Sequence, residues 1–256
     1  MIIYMWDRMT RLDVLNEVVE ESRAVRLVET DIYSVLPDPY RRYQYDRRAA
    51  AYDFVVGTSL YNRMIWGARA RNYESFARTA VDSDSDGLIL DAGCGSLLFT
   101  AGAYAQSHRP IIACDQSLDM LRRARARLLK FGTSVDQSVI LLQADLADIP
   151  FRDSRFRTVV SMNVIHHYAD VANLIRNLNA ISDGGRIYLT SLIMNDRYIG
   201  DWYLRLLHEM GWLVRPRTQD ELKKLLEQAL NTTIQFWTEG NMAYATTGQT
   251  VSTETR

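Results

Sequence analysis

The sequence predicts an α/β protein built on a doubly wound, mostly parallel sheet. Five short apolar runs recur along the chain, and helical segments separate most of them. Continuous apolar runs are typical of strands that are buried on both faces, and strands that alternate with helices indicate parallel pairing through helical crossovers. The runs cover residues 88–90, 110–114, 139–142, 158–162 and 186–191.

Three connecting segments carry helix signals. In residues 117–131 the leucines at 118, 121, 128 and 129 share one face, and residues 170–181 form a second segment. A third helix is predicted from about Thr218, because Thr218 and Glu221 can form a capping box in which each satisfies a free amide of the other's turn. Residues 193–230 are therefore interpreted as a helical insertion after the fifth strand.

The carboxyl-terminal part predicts a strand pair. Residues 233–238 alternate in part between polar and apolar side chains, Glu239-Gly240-Asn241 supplies a turn, and Ala243-Tyr244-Ala245 follows. Added to the five parallel strands, this pair completes a seven-stranded, Rossmann-like sheet with an antiparallel carboxyl-terminal strand. The expected organisation is a domain of residues 86–250 that follows an extension of residues 1–85.

The amino-terminal extension is expected to be helical and to act as a lid. Apolar side chains recur at helical spacing in its first part, where Asp7 or Thr10 is the expected helix cap. Leu36-Pro37-Asp38-Pro39 breaks this pattern before a second, aromatic-rich helical region. The apolar side chains of the first helix are Leu12, Leu15, Val18 and Val19.

Composition and charge narrow the class of protein. The 256 residues carry a formal net charge of -1, whereas nucleic-acid binders usually have a strong positive excess, so no nucleic-acid partner is expected. The basic run from Arg122 to Arg127 is interpreted as a solvated helix face. No apolar run approaches the ~20 residues that a membrane span needs.

The two cysteines indicate a reducing environment. Cys94 and Cys114 offer neither a disulfide framework nor a zinc pattern, so no metal is expected and a cytoplasmic location fits best. The apolar stretch from Met1 to Trp6 is too short for a secretory signal core and has no basic leader. The oligomeric state stays open, and a homodimer is compatible with the sequence.

Acidic residues follow the first three predicted strands. Asp91, Asp115 and Asp145 are one strand–helix unit apart, so all three are expected at one crevice, at the carboxyl ends of the strands. Gly93 and Gly95 allow a sharp turn and a close approach of the backbone to a ligand. A carboxylate at Asp91 would repel a pyrophosphate. The site therefore suits a cationic nucleoside, whose two ribose hydroxyls could donate to the carboxylate of Asp115.

Four segments resemble the ordered motifs of class I S-adenosylmethionine-dependent methyltransferases, in particular of the ubiquinone/menaquinone-biosynthesis-like (methyltransferase type 11) branch. They are residues 88–95, 115–121, 143–151 and 159–167. Tyr45-Asp46 and Tyr52-Asp53 resemble the Tyr-Asp pair that precedes the fold in that branch. The resemblance implies an enzyme that transfers a methyl group from S-adenosylmethionine to a small, apolar or aromatic molecule, such as a natural product or a quinone precursor.

The resemblance also implies a role for each cofactor-binding position. The residues expected at the methionine part are Asp91, Gly93, Gly95 and, through its backbone, Asn163. The ribose is expected at Asp115, and the residues expected at the adenine are Gln116, Met120, Asp145 and Leu146. Tyr52 is expected to close over the cofactor. The family often has a third glycine in the turn, at the position where this chain has Leu97.

Catalytic and acceptor-binding residues are indicated more weakly. His166 and His167 follow the fourth strand, so at least one is expected in the crevice, either as a general base with a near-neutral pKa or as a structural or substrate-contact residue. Aromatic residues in the flanking segments are interpreted as a wall for an apolar or aromatic acceptor, with ordinary packing as the alternative. These residues are Tyr61, Trp66, Tyr198 and Trp202.

Two other functions stay open. A nicotinamide-dependent oxidoreductase is disfavoured by Asp91 and by Leu98, which stands where the dinucleotide fingerprint has its third glycine. A cofactor-binding but non-catalytic partner subunit is disfavoured by the intact acids and by the aromatic segment after the fifth strand.

Overall fold

The computed structural model describes residues 9–41, 58–83, 86–131 and 139–248. In these ranges a nine-stranded sheet is covered by helices on both faces. The strands are β1 (Arg26–Glu29), β2 (Ile32–Ser34), β3 (Ile89–Ala92), β4 (Ile111–Asp115), β5 (Val139–Gln143), β6 (Phe156–Met162), β7 (Ser182–Leu192), β8 (Gln235–Glu239) and β9 (Met242–Thr246).

Helices connect most of the strands. They are α1 (Arg11–Val18), α2 (Ser59–Tyr61), α3 (Ala70–Val81), α4 (Ala101–Tyr104), α5 (Leu118–Leu129), α6 (Val171–Ile181), α7 (Tyr198–Glu209) and α8 (Gln219–Leu230). A π-helical turn, Asn62–Trp66, continues α2 and ends at Gly67, which has a φ of 66°. Short 3-10 turns, Leu146–Asp148 and Ile165–His167, follow β5 and β6.

The strand order is β1-β2-β5-β4-β3-β6-β7-β9-β8. Strands β2, β5, β4, β3, β6 and β7 pair in parallel, whereas β1, β9 and β8 join in antiparallel pairs. The chain enters the parallel core at β3, winds outward through β4 and β5, and then returns to β6 on the other side of β3. This reversal leaves a crevice at the carboxyl ends of the strands. The predicted doubly wound sheet with an antiparallel carboxyl-terminal strand is confirmed.

Alternate side chains of the central strands pack into two separate hydrophobic layers. Leu90 of β3 and Ile112 of β4 belong to the layer that also contains residues of α1, α6 and α8. Ile89 and Ile111, one position earlier on each strand, belong to the layer that contains residues of α3, α4 and α5. Because helices cover both faces, both sets of positions are apolar, which explains why the strands read as continuous apolar runs.

The expectation of an all-helical amino-terminal extension is wrong for residues 26–34. Strands β1 and β2 form a hairpin there, and β2 pairs in parallel with β5, so the sheet has nine strands instead of seven. The turn includes Asp31 in a left-handed conformation with a φ of 63°, which aspartate tolerates better than most residues. Pairing with β5 buries Ile32 completely, and this tertiary contact outweighs weak local helix propensity.

The predicted helices and caps agree with the structure elsewhere. Residues 117–131 contain α5, residues 170–181 contain α6, and the capping box of Thr218 begins α8. Helix α1 is capped by Thr10, whose hydroxyl accepts from the N–H of Asp13 while the Asp13 carboxylate accepts from the N–H of Thr10. The alternative cap, Asp7, lies outside the described residues.

Among the described residues, no helix combines the length and the apolar character that crossing a membrane requires. The same part of the chain contains no group of three or more His, Cys, Asp or Glu side chains that could hold a metal ion. Cys94 and Cys114 are both free thiols.

Candidate cofactor-binding site

A cleft opens at the carboxyl ends of β3, β4, β5 and β6, where the strand order reverses. Its volume, including the open mouth, is about 1000 Å³. The lining residues are Asp91, Gly93, Cys94, Gly95, Ser96, Leu98, Phe99, Thr100, Asp115, Gln116, Met120, Ala144, Leu146, Met162, Asn163, Val164, His167 and Tyr168. Two of them are acidic and, in the described ranges, none is a lysine or an arginine.

The turn after β3 needs glycine at two positions, for different reasons. Gly93 and Gly95 have φ angles of 79° and 52°, in the left-handed region that costs other residues about 1–2 kcal/mol. A Cβ on Gly93 would also lie 2.5 Å from Cγ2 of Val164, whereas one on Gly95 would meet nothing within 4 Å. The N–H groups of Gly93 and Cys94 both donate to the carbonyl oxygen of Cys114, at 2.9 Å each, and hold the turn against β4.

Leu97 stands where the family often has a third glycine, and its backbone takes a conformation that is typical of glycine. Leu97 has a φ of 55°, and its N–H donates to the carbonyl of Cys94 at 3.0 Å. The Leu97 side chain is completely buried. Burial of a leucine contributes about 1.5–3 kcal/mol, which is enough to offset the strain of the left-handed backbone. The turn therefore contains a third left-handed residue without a third glycine.

Asp115 presents an oriented carboxylate to the cleft. Its Oδ2 accepts from the N–H of Gly95 at 2.9 Å, and its Oδ1 accepts from the N–H of Ser117 at 2.8 Å. The residue is half-buried. A carboxylate has about four acceptor sites, so these two backbone donors fix its orientation without exhausting its capacity. Two adjacent hydroxyls, as on a ribose, match two acceptor oxygens held in this way.

Asp91 lies under the same turn and is 2% exposed. The phenol of Tyr104, in α4, donates to its Oδ2 at 2.9 Å. Burial raises the pKa of Asp91 to about 7, while the hydrogen bond from Tyr104 opposes this rise and the negative charge of Asp115 adds to it. A cation in the cleft would favour the ionised carboxylate, so Asp91 suits a positively charged ligand.

Of the four residues predicted to contact an adenine, three line the cleft and one does not. Gln116, Met120 and Leu146 line the cleft. Asp145 is outside the described lining, and its carboxylate accepts from the N–H of Ala147 at 2.9 Å at the start of a 3-10 turn. Its contact with an exocyclic amine therefore stays a prediction.

Asn163 lines the opposite side of the cleft, just after β6. It takes a left-handed conformation with a φ of 59°. Its N–H is engaged by Thr190 of β7, whose carbonyl and hydroxyl oxygens lie 3.1 and 3.0 Å away. A backbone contact from Asn163 to a ligand would therefore come from its carbonyl oxygen.

The two histidines occupy different environments. His167 lines the cleft, whereas His166 is buried behind it, with Nδ1 3.4 Å from Oγ of Ser191. Nδ1 of His167 lies 3.0 Å from the carbonyl oxygen of Trp212. Because a carbonyl oxygen only accepts, this hydrogen bond assigns the proton to Nδ1 and the lone pair to Nε2.

Both histidines are neutral near pH 7. Burial lowers the pKa of His167 to about 4, although the hydrogen bond to Trp212 acts in the opposite direction. The pKa of His166 lies well below its ordinary value because of burial and because His167 and Arg217 repel a positive charge there. The near-neutral pKa expected for a general base does not arise, because desolvation of His167 outweighs its hydrogen bond.

Two of the four aromatic residues predicted to form an acceptor wall, Tyr61 and Trp66, pack on each other. The rings of Tyr61 and Trp66 meet edge to face with centroids 6.2 Å apart, and both contact Tyr203 of α7, at 6.4 and 5.4 Å. Trp66 is buried, so core packing describes it, whereas Trp202 is 56% exposed. None of these four residues belongs to the described lining of the cleft.

The structure also places in or beside the cleft residues that sequence patterns miss. Phe99 and Met162 line the cleft and belong to the same hydrophobic layer as the Tyr61–Trp66–Tyr203 cluster. Tyr104 holds Asp91, but α4 spans only four residues, so no periodicity marks Tyr104 in the sequence. The predicted site positions without a described side chain are Tyr52, which lies outside the described residues, and Tyr198.

Residues 90–189 match the family described as methyltransferase domain. The matched span runs from β3 into β7 and includes the glycine turn, Asp115 and both histidines. This segment of the chain is therefore similar to methyltransferase domains, which agrees with the resemblance that the sequence motifs indicate.

Curated relatives are similar to part of the chain, and solved structures share its fold. Ubiquinone biosynthesis O-methyltransferase of Methylocella silvestris is 28% identical over 140 residues, which cover 50% of this chain and 53% of that one. The tRNA U34 carboxymethyltransferase of Cellvibrio japonicus is 28% identical over 113 residues, which cover 44% of this chain and 34% of that one. Magnesium protoporphyrin IX methyltransferase of Synechocystis, solved with bound SAH, has a similar fold, with a TM-score of 0.51, 18% identity and coverage of 70% and 83%. The chain spans about half the length of the first relative and about a third of the second.

Proposed function

We propose that the protein transfers the methyl group of S-adenosylmethionine to a small, apolar or aromatic acceptor. The observation that supports this most strongly is the charge of the cleft, whose acidic residues Asp91 and Asp115 have no lysine or arginine beside them in the described lining. S-adenosylmethionine carries a sulfonium and an ammonium but no phosphate, so these acids favour it. A dinucleotide would bring its pyrophosphate close to Asp91, which argues against a nicotinamide-dependent oxidoreductase.

The cofactor-binding roles follow the course of the cleft. We assign the ribose to the carboxylate of Asp115. The residues assigned to the adenine are Gln116, Met120 and Leu146, with Asp145 at its amine. The residues assigned to the methionine part are Asp91, Gly93, Gly95 and the carbonyl of Asn163. Tyr52 is assigned to the closing side.

S-adenosylmethionine supplies an electrophilic methyl group, so the chain contributes mainly alignment and exclusion of water, which in favourable intramolecular models amount to roughly 7–11 kcal/mol. His167 is neutral at pH 7 and has its lone pair on Nε2, so we assign to it the orientation of an acceptor O–H or N–H. With a pKa of about 4, it takes a proton only from an acceptor that becomes strongly acidic. His166, whose ring centroid is 4.2 Å from that of His167, acts as its support.

The acceptor side is assigned to the wall opposite the glycine turn. The segment after α7 is tied to the 3-10 turn Ile165–His167, because the N–H of Val214 donates to the carbonyl of His166 at 3.2 Å and the carbonyl of Trp212 accepts from His167. We therefore propose that the 193–230 insertion and the 1–85 extension complete the acceptor site. The candidate contacts are Tyr61, Trp66, Tyr198 and Trp202.

A nucleic-acid acceptor is the second candidate, because one relative acts on tRNA according to its name. The net charge of -1 and the absence of lysine and arginine from the described lining favour a small molecule instead. We also propose a reducing, cytoplasmic location, which the two free thiols support.

The proposal is tested by following methyl transfer with isotope-labelled S-adenosylmethionine. The full chain is incubated with a panel of phenols, dihydroxybenzoates and aromatic amines, and separately with bulk tRNA, and products are identified by mass spectrometry. We expect S-adenosylhomocysteine to accumulate only with small aromatic acceptors, and not in the Asp115→Ala variant. Methylated tRNA without a methylated small molecule would overturn the acceptor assignment. Cofactor binding without turnover across the panel would favour a non-catalytic subunit.

A further inference from the structure

A second groove lies away from the cofactor cleft, between α3 and the strand pair β8–β9. Its volume, including the open mouth, is about 1220 Å³, which is enough for a small molecule, and it shares no lining residue with the cleft. It reaches β7 at Arg186 and Tyr188, whereas the cleft lies beyond the carboxyl ends of the parallel strands. The groove is therefore a separate site in both position and composition.

One end of the groove is aromatic. Trp237 and Tyr244 are paired across β8 and β9, and their rings stack with centroids 5.4 Å apart and an interplanar angle of 7°. Phe76 of α3 meets both rings edge to face, at 5.6 and 5.2 Å. Trp237 is 44% exposed at the rim, so part of its indole is accessible to a ligand. Such a wall suits a planar aromatic ring.

The other end of the groove carries a cation without a counter-ion. Within the described ranges, the guanidinium of half-buried Arg186 forms no ion pair and no hydrogen bond. Ser75, Thr79 and Thr247 line the groove as well and supply hydroxyl groups. The acidic side chain of the groove, Glu239, accepts from Nδ2 of Asn72 at 2.7 Å. An anion at Arg186 would gain a charge-assisted hydrogen bond.

Tyr244 provides an independent indication of a ligand. The residue is 2% exposed, and its hydroxyl is buried without a hydrogen-bond partner in the described part of the chain. A buried hydroxyl without a partner is unfavourable, and a phenylalanine would avoid this penalty. The hydroxyl is explained if a molecule in the groove brings a polar group to it.

We propose that this groove is a second binding site, which takes a planar aromatic carboxylate whose ring also carries a polar substituent for the hydroxyl of Tyr244. The ring lies against Trp237 and Phe76, and the carboxylate lies at Arg186. The strand register gives the distance between the aromatic end of the groove and Arg186. Trp237 pairs with Tyr244, and Tyr244 pairs with Thr190 of β7. Arg186 precedes Thr190 by four residues, which is roughly 13 Å along a strand. The long arginine side chain can shorten that separation, so a bicyclic ring with one carboxylate is of suitable length.

The test uses 2-naphthoate as the probe and isothermal titration calorimetry on the full chain saturated with S-adenosylhomocysteine. We expect the wild-type chain to bind 2-naphthoate and to bind uncharged 2-naphthamide at least tenfold more weakly. Arg186→Gln is expected to lose tenfold or more in affinity for the acid, as expected for a lost charge-assisted hydrogen bond. The matched control is Arg71→Gln in α3, an exposed residue outside the groove lining, and this variant should bind the acid normally.

A second pair of variants separates this groove from the acceptor side of the cleft. Trp237→Leu should weaken naphthoate binding, and His167→Ala should leave it unchanged. The proposal is overturned if the wild-type chain does not bind the acid, if Arg186→Gln binds it normally, or if binding depends on His167 and not on Arg186. If Trp237→Leu does not fold, the amide probe and Arg186→Gln decide the question.

Discussion

The two walls of the cleft are built in different ways. The wall at the glycine turn is held mainly by backbone hydrogen bonds, with the N–H of Gly95 on the carboxylate of Asp115 and the N–H of Gly93 on the carbonyl of Cys114. The opposite wall depends on a contact between His167 and the carbonyl of Trp212, 45 residues further along the chain. The wall proposed to bind the cofactor is thus encoded in short strand–turn motifs, whereas the wall proposed to bind the acceptor depends on how separate segments pack.

The largest expected effect concerns Asp91, on the cofactor wall. Its pKa is raised to about 7, so it binds a proton more tightly in the folded state than in the unfolded state. Its contribution to the free energy of unfolding is therefore complete below about pH 4 and is lost as the pH rises to about 7. The loss is roughly 4 kcal/mol, from about 1.4 kcal/mol per pKa unit.

Urea denaturation of the wild type and of Asp91→Asn, from pH 4 to pH 8, measures this effect. We expect the unfolding free energy of the wild type, relative to that of Asp91→Asn, to fall by a few kcal/mol as the pH rises to 7. Above pH 7 this difference should stay constant. His167 has the opposite effect, because its lowered pKa makes the unfolding free energy rise between about pH 4 and 6.5. This effect is present in both proteins, so it cancels in the difference. Parallel stability curves would show that Asp91 is ionised throughout.

The next effect separates the two glycines of the turn. Gly93→Ala combines left-handed strain with a Cβ that would lie 2.5 Å from Val164, so we expect a loss of roughly 2–4 kcal/mol in the unfolding free energy and loss of cofactor binding. Gly95→Ala meets no neighbour and should lose only about 1–2 kcal/mol. Thermal denaturation with and without S-adenosylhomocysteine measures both. Equal losses would contradict the packing explanation for Gly93.

A smaller effect is expected on the acceptor wall. His167→Gln should reduce turnover by up to roughly tenfold, the value of one hydrogen bond, while the affinity for S-adenosylhomocysteine stays within about twofold. Because the pKa of His167 is about 4, the wild-type rate between pH 5 and 8 should contain no step that the variant lacks. A loss of cofactor affinity as large as the loss of turnover would mean that the two walls are not separable.

The smallest effect concerns Leu97, where the usual order of alanine and glycine should be reversed. Both Leu97→Ala and Leu97→Gly lose a buried side chain, but glycine also relieves the left-handed strain at a φ of 55°. We expect Leu97→Gly to be more stable than Leu97→Ala by roughly 0.5–1 kcal/mol in chemical denaturation. If alanine is the more stable residue, the strain at this position is negligible.

The sequence predicts the parallel core well because burial on both faces leaves a direct trace in each strand. Residues 139–142 are apolar at every position, and they form most of β5. The hairpin of β1 and β2 is not predictable in the same way, because its short strands gain their stability from pairing with β5. Local propensity contains no information about that partner.

The candidate site shows the same limit. Asp115 and the glycines stand in recognisable motifs, and the structure places them in the cleft. The phenol of Tyr104 on Asp91, and the burial that moves the pKa of His167 away from neutrality, arise only when α4 and the segment after α7 pack in place. The roles of Tyr52 and Tyr198 stay predictions.

The most direct test of the acidic cofactor site is calorimetric titration of S-adenosylhomocysteine into Asp115→Asn, with Asp148→Asn as the matched control. Asp148 is exposed, lies outside the described cleft lining and pairs with Arg23 at 2.5 Å. We predict a 10- to 100-fold loss of affinity for Asp115→Asn, in the range of charge-assisted hydrogen bonds, and roughly unchanged affinity for Asp148→Asn. Unchanged affinity in a folded Asp115→Asn protein would contradict the assignment of the ribose to this carboxylate.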